Sequence, residues 1–338
     1  MTTRRDFIRT AVAAGIGGAA LGELAPAQAA APATAAAPQM PRGMTLLAML
    51  QEDGSETLGV KLPNGVLDVA AAGKALNLDV PQSLESLLAV GGTPALERLI
   101  AAAKDKPDFV KDEASIKFGR LFTDPGKIVC VGLNYKEHAE EAGEKLPKEP
   151  ILFNKYNNTL APHKTTIKLP PAEISTKFDY ETELVIVIGK TARNVSEADA
   201  LSYVAGYAVG HDFSSRDLQL EKGGQWMVGK TLDGFAPIGP YFVTADQVDP
   251  NNLSIETYVN DEKEPRQKSN TSKFIFNPQK VISYTSKLFA LEPGDLIFTG
   301  TPSGVIIGMS KDKQVWLKSG DRITSKIEKL GTLTFDLA

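Results

Sequence analysis

Three observations predict an α+β chain dominated by β-structure. Residues 184–188 read Leu-Val-Ile-Val-Ile, and a short run that is apolar on both parities is a strand covered on both faces. A second strand-length run follows at Gly206–Asp212, rich in Gly, Tyr, Ala and Val. From Leu253 onward, strand-length runs alternate with turn signals such as Asn260-Asp261-Glu262, Pro293-Gly294-Asp295 and Lys329-Leu330-Gly331. Helical spacing is confined to short stretches, of which Lys280–Phe289 is one.

The first 29 residues read as an address. Thr3-Arg4-Arg5-Asp6-Phe7-Ile8-Arg9 is a twin-arginine signature, Ala11–Leu21 is a weakly apolar stretch, and Ala27-Gln28-Ala29 offers a cleavage site. The expected destination is the periplasm, reached through the twin-arginine export machinery. The apolar stretch is too short to give a stable membrane anchor. Residues 30–43 form a low-complexity linker, expected to be disordered.

Residues 44–120 form a small N-terminal α+β domain in this reading. Thr45–Leu50, Glu56–Leu62 and Val66–Val69 are its strands; Ala70–Leu76, Leu84–Val90 and Pro94–Lys104 are its helices. No chemistry is legible there. Residues 121–338 form the second and larger domain. The 338 residues suffice for one large and one small domain. A formal net charge of −4 suggests no general affinity for nucleic acid. The single cysteine, Cys130, lies in an apolar run and reads as a small core residue.

The second domain carries the candidate chemistry. Glu181 and Glu183 are two apart at the head of the apolar strand, so they point the same way. Asp212 closes the next strand. Carboxylates entering a covered strand need a positive partner. Lys, Arg or a metal would serve, as would plain ion pairs at a solvated strand end. An all-oxygen, all-acid set suits a hard cation such as Mg²⁺, Mn²⁺ or Ca²⁺ rather than zinc. A helix from about Tyr135 would put His138 and Glu141 on one face at i and i+3, either as a dyad or as a solvated acidic end. Ser196 to about Tyr203 reads as a crossover helix between the acid-bearing strands. Lys230 would neutralise the acids, and Trp226 reads as core.

Several motifs in one order carry a resemblance. Glu181-x-Glu183 is followed by Gly206-Tyr207-x-x-Gly210-x-Asp212, then Ser215-Arg216-Asp217-Leu218-Gln219, Gly229-Lys230 and Thr299-Gly300-Thr301-Pro302-Ser303-Gly304-Val305. Together they resemble the fumarylacetoacetate hydrolase superfamily from about Lys127 to the C-terminus. Asn134-Tyr135-x-x-His138-x-x-Glu141 is similar to the lid motif of its acylpyruvase-like members.

The resemblance implies a mixed β-sandwich roll, a homodimer, and Mg²⁺ or Mn²⁺ on Glu181, Glu183 and Asp212. It implies a small keto acid substrate, a 1,3-diketo or α-keto acid such as an acylpyruvate, cleaved at a C–C bond by hydrolysis or decarboxylation. The alternative is an isomerase or hydratase of 2-hydroxymuconate- or 2-keto-4-pentenoate-type acids in aromatic catabolism. His138, aided by Glu141 on a mobile lid, would be the general base, with Lys230 beside the metal. Lys155, Arg216, Gln219 and Thr301 would hold the substrate, although Lys155 also reads as plain surface charge.

Overall fold

The structure is a computed structural model that describes residues 40–90 and 93–338. The expected signal segment and most of the linker lie outside the described residues. The last linker residues are tied down: the Gly43 N–H donates to the Asp246 carboxylate at 3.0 Å, and Met40 packs on the core.

The strands run β1 Thr45–Leu50, β2 Glu56–Leu62, β3 Gly65–Asp68, β4 Val110–Lys111, β5 Ile128–Gly132 and β6 Ile151–Lys155. They continue with β7 Leu160–Ala161, β8 Thr165–Ile167, β9 Phe178–Asp179, β10 Thr182–Ile188, β11 Val204–His211 and β12 Ser214–Ser215. The last six are β13 Ala236–Thr244, β14 Ser254–Val259, β15 Gln267–Asn270, β16 Leu296–Phe298, β17 Arg322–Ile327 and β18 Gly331–Leu337. The helices are α1 Val69–Leu76, α2 Leu84–Val90, α3 Thr93–Ala103, α4 Lys136–Glu141, α5 Arg216–Leu220 and α6 Pro278–Leu288. This is the mostly-β α+β class expected. Among the described residues no helix is long and apolar enough to cross a membrane.

One large mixed sheet runs β4-β3-β2-β1-β13-β11-β10-β16-β5-β6, with β7 beside β13; a five-stranded sheet runs β15-β14-β17-β18-β8. β10 lies mid-sheet and is buried throughout. Its alternate residues feed two cores. Val185 and Val187 join Cys130, Phe242 and the helices of residues 69–103. Leu184, Ile186 and Ile188 join Ile255, Ile327, Leu333 and Val281 of α6. The run is therefore apolar on both parities because each face meets its own hydrophobic layer. Strands β1 to β4 extend the same large sheet through the β1–β13 pairing.

One expected element is corrected. Residues 196–203 do not make a crossover helix; they hold only a 3-10 turn at Ala200–Tyr203. β10 and β11 pair as antiparallel neighbours, and such neighbours need no crossover helix. Ser196 and Asp199 still bond as a cap would, the Asp199 N–H donating to the Ser196 hydroxyl at 3.2 Å.

His163 links the sheets and gives the fold a pH dependence. Its Nδ1 accepts the Thr334 N–H at 3.1 Å, and its ring meets Phe118 edge-on. Burial, then the charge of Lys164, lowers its pKa from 6.5 to about 4. A histidine depressed on folding contributes stability that is full above its unfolded pKa and is lost as pH falls towards the folded one. Melting temperature should therefore fall between pH 6.5 and about 4. It should fall less in His163→Asn, whose amide oxygen can still accept the Thr334 N–H. Parallel slopes for the two proteins would refute this.

Candidate active site

Strand pairing assembles the acids. Thr182 lies opposite His211 and Glu183 opposite Gly210, and the next pair out is Glu181 with Asp212, joined by the Asp212 N–H to the Glu181 carbonyl at 2.9 Å. Facing residues of an antiparallel pair share a side of the sheet. All three carboxylates therefore converge, with one oxygen of each within 4.8 Å of the others. Gly210 is needed opposite Glu183, because a Cβ there would collide with Val185 and Phe298. Thr182 and His211 point the other way, into a buried polar network with Ser325, Thr257 and Gln267.

Three cations meet the acids. Lys155 Nζ donates to Asp212 at 2.6 Å. Lys230 Nζ donates to Glu181 at 2.6 Å and to Asp212 at 2.8 Å. Arg216 donates through Nη2 to Glu181 at 2.6 Å, through Nε to Asp179 at 2.8 Å and through Nη1 to Gln219 at 2.8 Å. Burial pushes the Glu181 carboxyl up, but Lys230 and then Arg216 overcome it and hold the group well below the usual range. Glu183 is different. Its one hydrogen-bond partner among the described residues is the Gly300 N–H, at 2.7 Å. Burial, then the charges of Asp212 and Glu181, raises its pKa well above the usual value.

Four carboxylates, counting Asp179, thus face three cations and leave one negative charge in excess. An oxygen-only, charge-excess, buried donor set fits a hard divalent cation. Glu181, Glu183 and Asp212 would hold it.

α4 brings up the dyad. Tyr135 precedes it in extended conformation and makes no side-chain cap bond, and His138 Nδ1 lies 2.9 Å from the Glu141 carboxylate. A carboxylate only accepts, so Nδ1 carries the hydrogen and Nε2 is left as the basic nitrogen. Glu141 also accepts the Gly304 N–H at 2.9 Å. Gly304 in turn accepts from Tyr180 at 2.8 Å, and Asp179 accepts the N–H groups of Ile306 and Ile307 at 2.8 and 3.1 Å. The segment expected to be a mobile lid is therefore docked on a loop fixed by the residues just before the acid pair.

A cavity of about 510 Å³ contains His138, Glu141, Glu181, Glu183, Asp212, Arg216, Gln219, Lys230 and Thr301 in its lining. Lys155 is not in that lining; its ammonium is fully buried against Asp212. Thr301 lines the cavity, but its hydroxyl donates to the Thr182 carbonyl at 2.9 Å and accepts from Gln267 at 2.8 Å. Gln219 lines the cavity, and its amide oxygen accepts from Arg216. Trp226, read from sequence as core, lines the cavity too.

Sequence reasoning missed Asp179, His211 and Gln267. Asp179 stands next to Tyr180 at the strand head, so the signal was an acid beside the pair already noticed. His211 Nε2 accepts the Glu181 N–H at 2.9 Å, and burial lowers its pKa to about 3. No spacing in the sequence signals Gln267, which reaches Thr301 from another sheet.

Residues 127–338 match the family described as fumarylacetoacetate (FAA) hydrolase C-terminal. The chain belongs to the fumarylacetoacetate hydrolase family. It is 47% identical over 290 residues to a fumarylacetoacetate hydrolase domain-containing protein 2 homolog of Dictyostelium discoideum, covering 82% of this chain and 92% of that one. It is 38% identical to the Xenopus laevis protein named oxaloacetate tautomerase fahd2, mitochondrial, over 83% of this chain and 85% of that one. Among solved structures it resembles a fumarylpyruvate hydrolase from Pseudomonas aeruginosa in complex with Mn²⁺ and pyruvate. There the identity is 36%, the TM-score 0.56, and the match covers 63% of this chain and 89% of that one.

The family relatives correct one expectation. The periplasmic destination read from the N-terminus does not stand against relatives named as mitochondrial proteins, from Xenopus laevis to Homo sapiens. The segment that suggested it lies outside the described residues.

Proposed function

We propose that this chain is a divalent-metal-dependent enzyme that interconverts the keto and enol forms of a 2-oxo acid, with oxaloacetate as the reference substrate. One observation carries the reading: an oriented imidazole, His138, lines the same cavity as the three buried carboxylates. The names of the curated relatives support the choice of oxaloacetate. Mg²⁺ or Mn²⁺ on Glu181, Glu183 and Asp212 supplies Lewis-acid polarisation of a carbonyl oxygen when bound. His138 Nε2 takes a proton from the carbon next to the ketone and delivers it to the enol oxygen, while Glu141 stabilises the imidazolium formed between the two steps. Lys230 and Arg216 hold the acids in place and bring positive charge to the carboxylate end of the substrate.

A second reading is C–C hydrolysis or decarboxylation. The identity to a fumarylpyruvate hydrolase favours it, since the same base would then activate water. The test is to follow the enol and keto forms of oxaloacetate, and pyruvate release from an acylpyruvate, with Mg²⁺ and after chelation. Metal-dependent acceleration of keto–enol exchange without pyruvate release is the expected result. Pyruvate release without faster exchange would move the assignment to the second reading, and no acceleration of either would sink both.

A further inference from the structure

The cavity is larger than a four-carbon acid requires. At about 510 Å³ it lies in the range that holds drug-sized ligands, roughly 300–1,000 Å³. Arg216 and Lys230 are bonded to the acids at one pole. The remaining wall includes Leu133, Phe153, Trp226, Ile307 and Trp316. The whole chain has two tryptophans, and both line this one cavity. Trp226 meets Phe153 edge-on at 5.9 Å. Gly132 lets the Trp226 ring lie against β5, because a Cβ there would collide with the ring. Neither indole is fully buried, so both keep surface that a ligand can cover.

The charged residues farther out are balanced. Lys177 is paired with Glu221 at 2.5 Å, and Lys311 and Glu144 are the others. Two of each sign give no preference for a second anionic end.

We propose that this aromatic wall is a specificity pocket for a flat, uncharged ring, so that the favoured substrates are aryl-substituted 2-oxo acids rather than oxaloacetate. The 2-oxo acid end would sit at the carboxylate pole, and the ring would lie against the wall that holds Trp226 and Trp316. The proposal rests on the 2-oxo acid reading above and names the substrate class of that same site. Trp316 is then a specificity-determining residue.

The test titrates the Mg²⁺-loaded full chain with benzoylpyruvate and with oxaloacetate, following tryptophan fluorescence. Benzoylpyruvate should bind at least about tenfold more tightly, the order of effect of one good aromatic contact with its buried area. Trp316→Ala should erase most of that ratio and Trp316→Phe should retain most of it, which separates lost recognition from a misfolded variant. Equal dissociation constants for the two acids in the wild-type protein overturn the proposal. A preference for benzoylpyruvate with turnover of neither acid supports the pocket while removing the enolisation reading, so the two failures are distinguishable.

Discussion

Asp212→Ala is expected to cost about 3–5 kcal/mol of stability before any metal is added, the usual effect of removing one partner of a buried ion pair. Asp212 is the shared acceptor of Lys155 and Lys230, and both ammoniums are buried. Lys155 has no other described hydrogen-bond partner for its Nζ. Glu183→Gln should behave in the opposite way. Glu183 is bonded to a backbone N–H and is repelled by Asp212 and Glu181 after its burial is counted. An acid whose folded pKa is raised opposes folding once pH exceeds its unfolded value, so neutralising it should leave the metal-free protein at least as stable as wild type at pH 7. Both variants should lose the rise in melting temperature that Mg²⁺ gives. In the wild type that rise corresponds to about 2.7 kcal/mol at a hundred times the dissociation constant. Denaturant titration of the three proteins, with and without Mg²⁺, reads all of this. Comparable destabilisation in the two metal-free variants would refute the division of charge described above, and a Mg²⁺ response retained in both would remove the acids from metal binding.

His138→Ala should lower turnover by roughly 10² to 10⁴, the usual worth of a positioned acid–base group, while keeping the Mg²⁺ response. His138 is not one of the three convergent acids. Its removal need not release α4, because Glu141 still accepts the Gly304 N–H and Lys273 still pairs with Glu137 at 3.1 Å. Oxalate should therefore bind the variant as it binds the wild type, which makes the loss one of rate and not of site assembly. Glu141→Gln should give a smaller loss, since the amide oxygen can still accept from Nδ1 but carries no charge to stabilise an imidazolium. Wild-type turnover in His138→Ala would take the dyad out of the chemistry and shift the proton transfers to the residues around Lys230.

Glu181 with Glu183, and His138 with Glu141, were legible as facing pairs because strand parity and helical spacing are local rules; Asp212 as their partner, and a dyad in preference to a solvated helix end, came from the family resemblance. Glu181 and Glu183 had to share a face, and His138 and Glu141 had to share another. Lys155 was legible only as a charge, with surface and substrate roles both open. Its ammonium is spent on Asp212, and that depends on where β6 lies across β5, β16 and β10. Thr301 reads as a free hydroxyl in a loop sequence, yet Gln267 and the Thr182 carbonyl occupy it. Trp226 reads as core because large aromatics are usually buried; it packs against Gly132, far from it in sequence, and lines the cavity.

By itself the sequence determined the β-rich class, the shared face of Glu181 and Glu183, and the i,i+3 spacing that lets His138 meet Glu141. Periodicity, side-chain charge and i,i+3 spacing act within a few residues and survive in any packing of the chain. The tertiary structure alone decided which cation neutralises which acid, that Glu183 is left with the excess charge, that the lid helix is docked through Glu141 and Gly304, and that both tryptophans line one cavity. Those outcomes depend on the order of strands in the sheet and on contacts between residues 18 to 163 positions apart, and no local pattern encodes the distance between such groups.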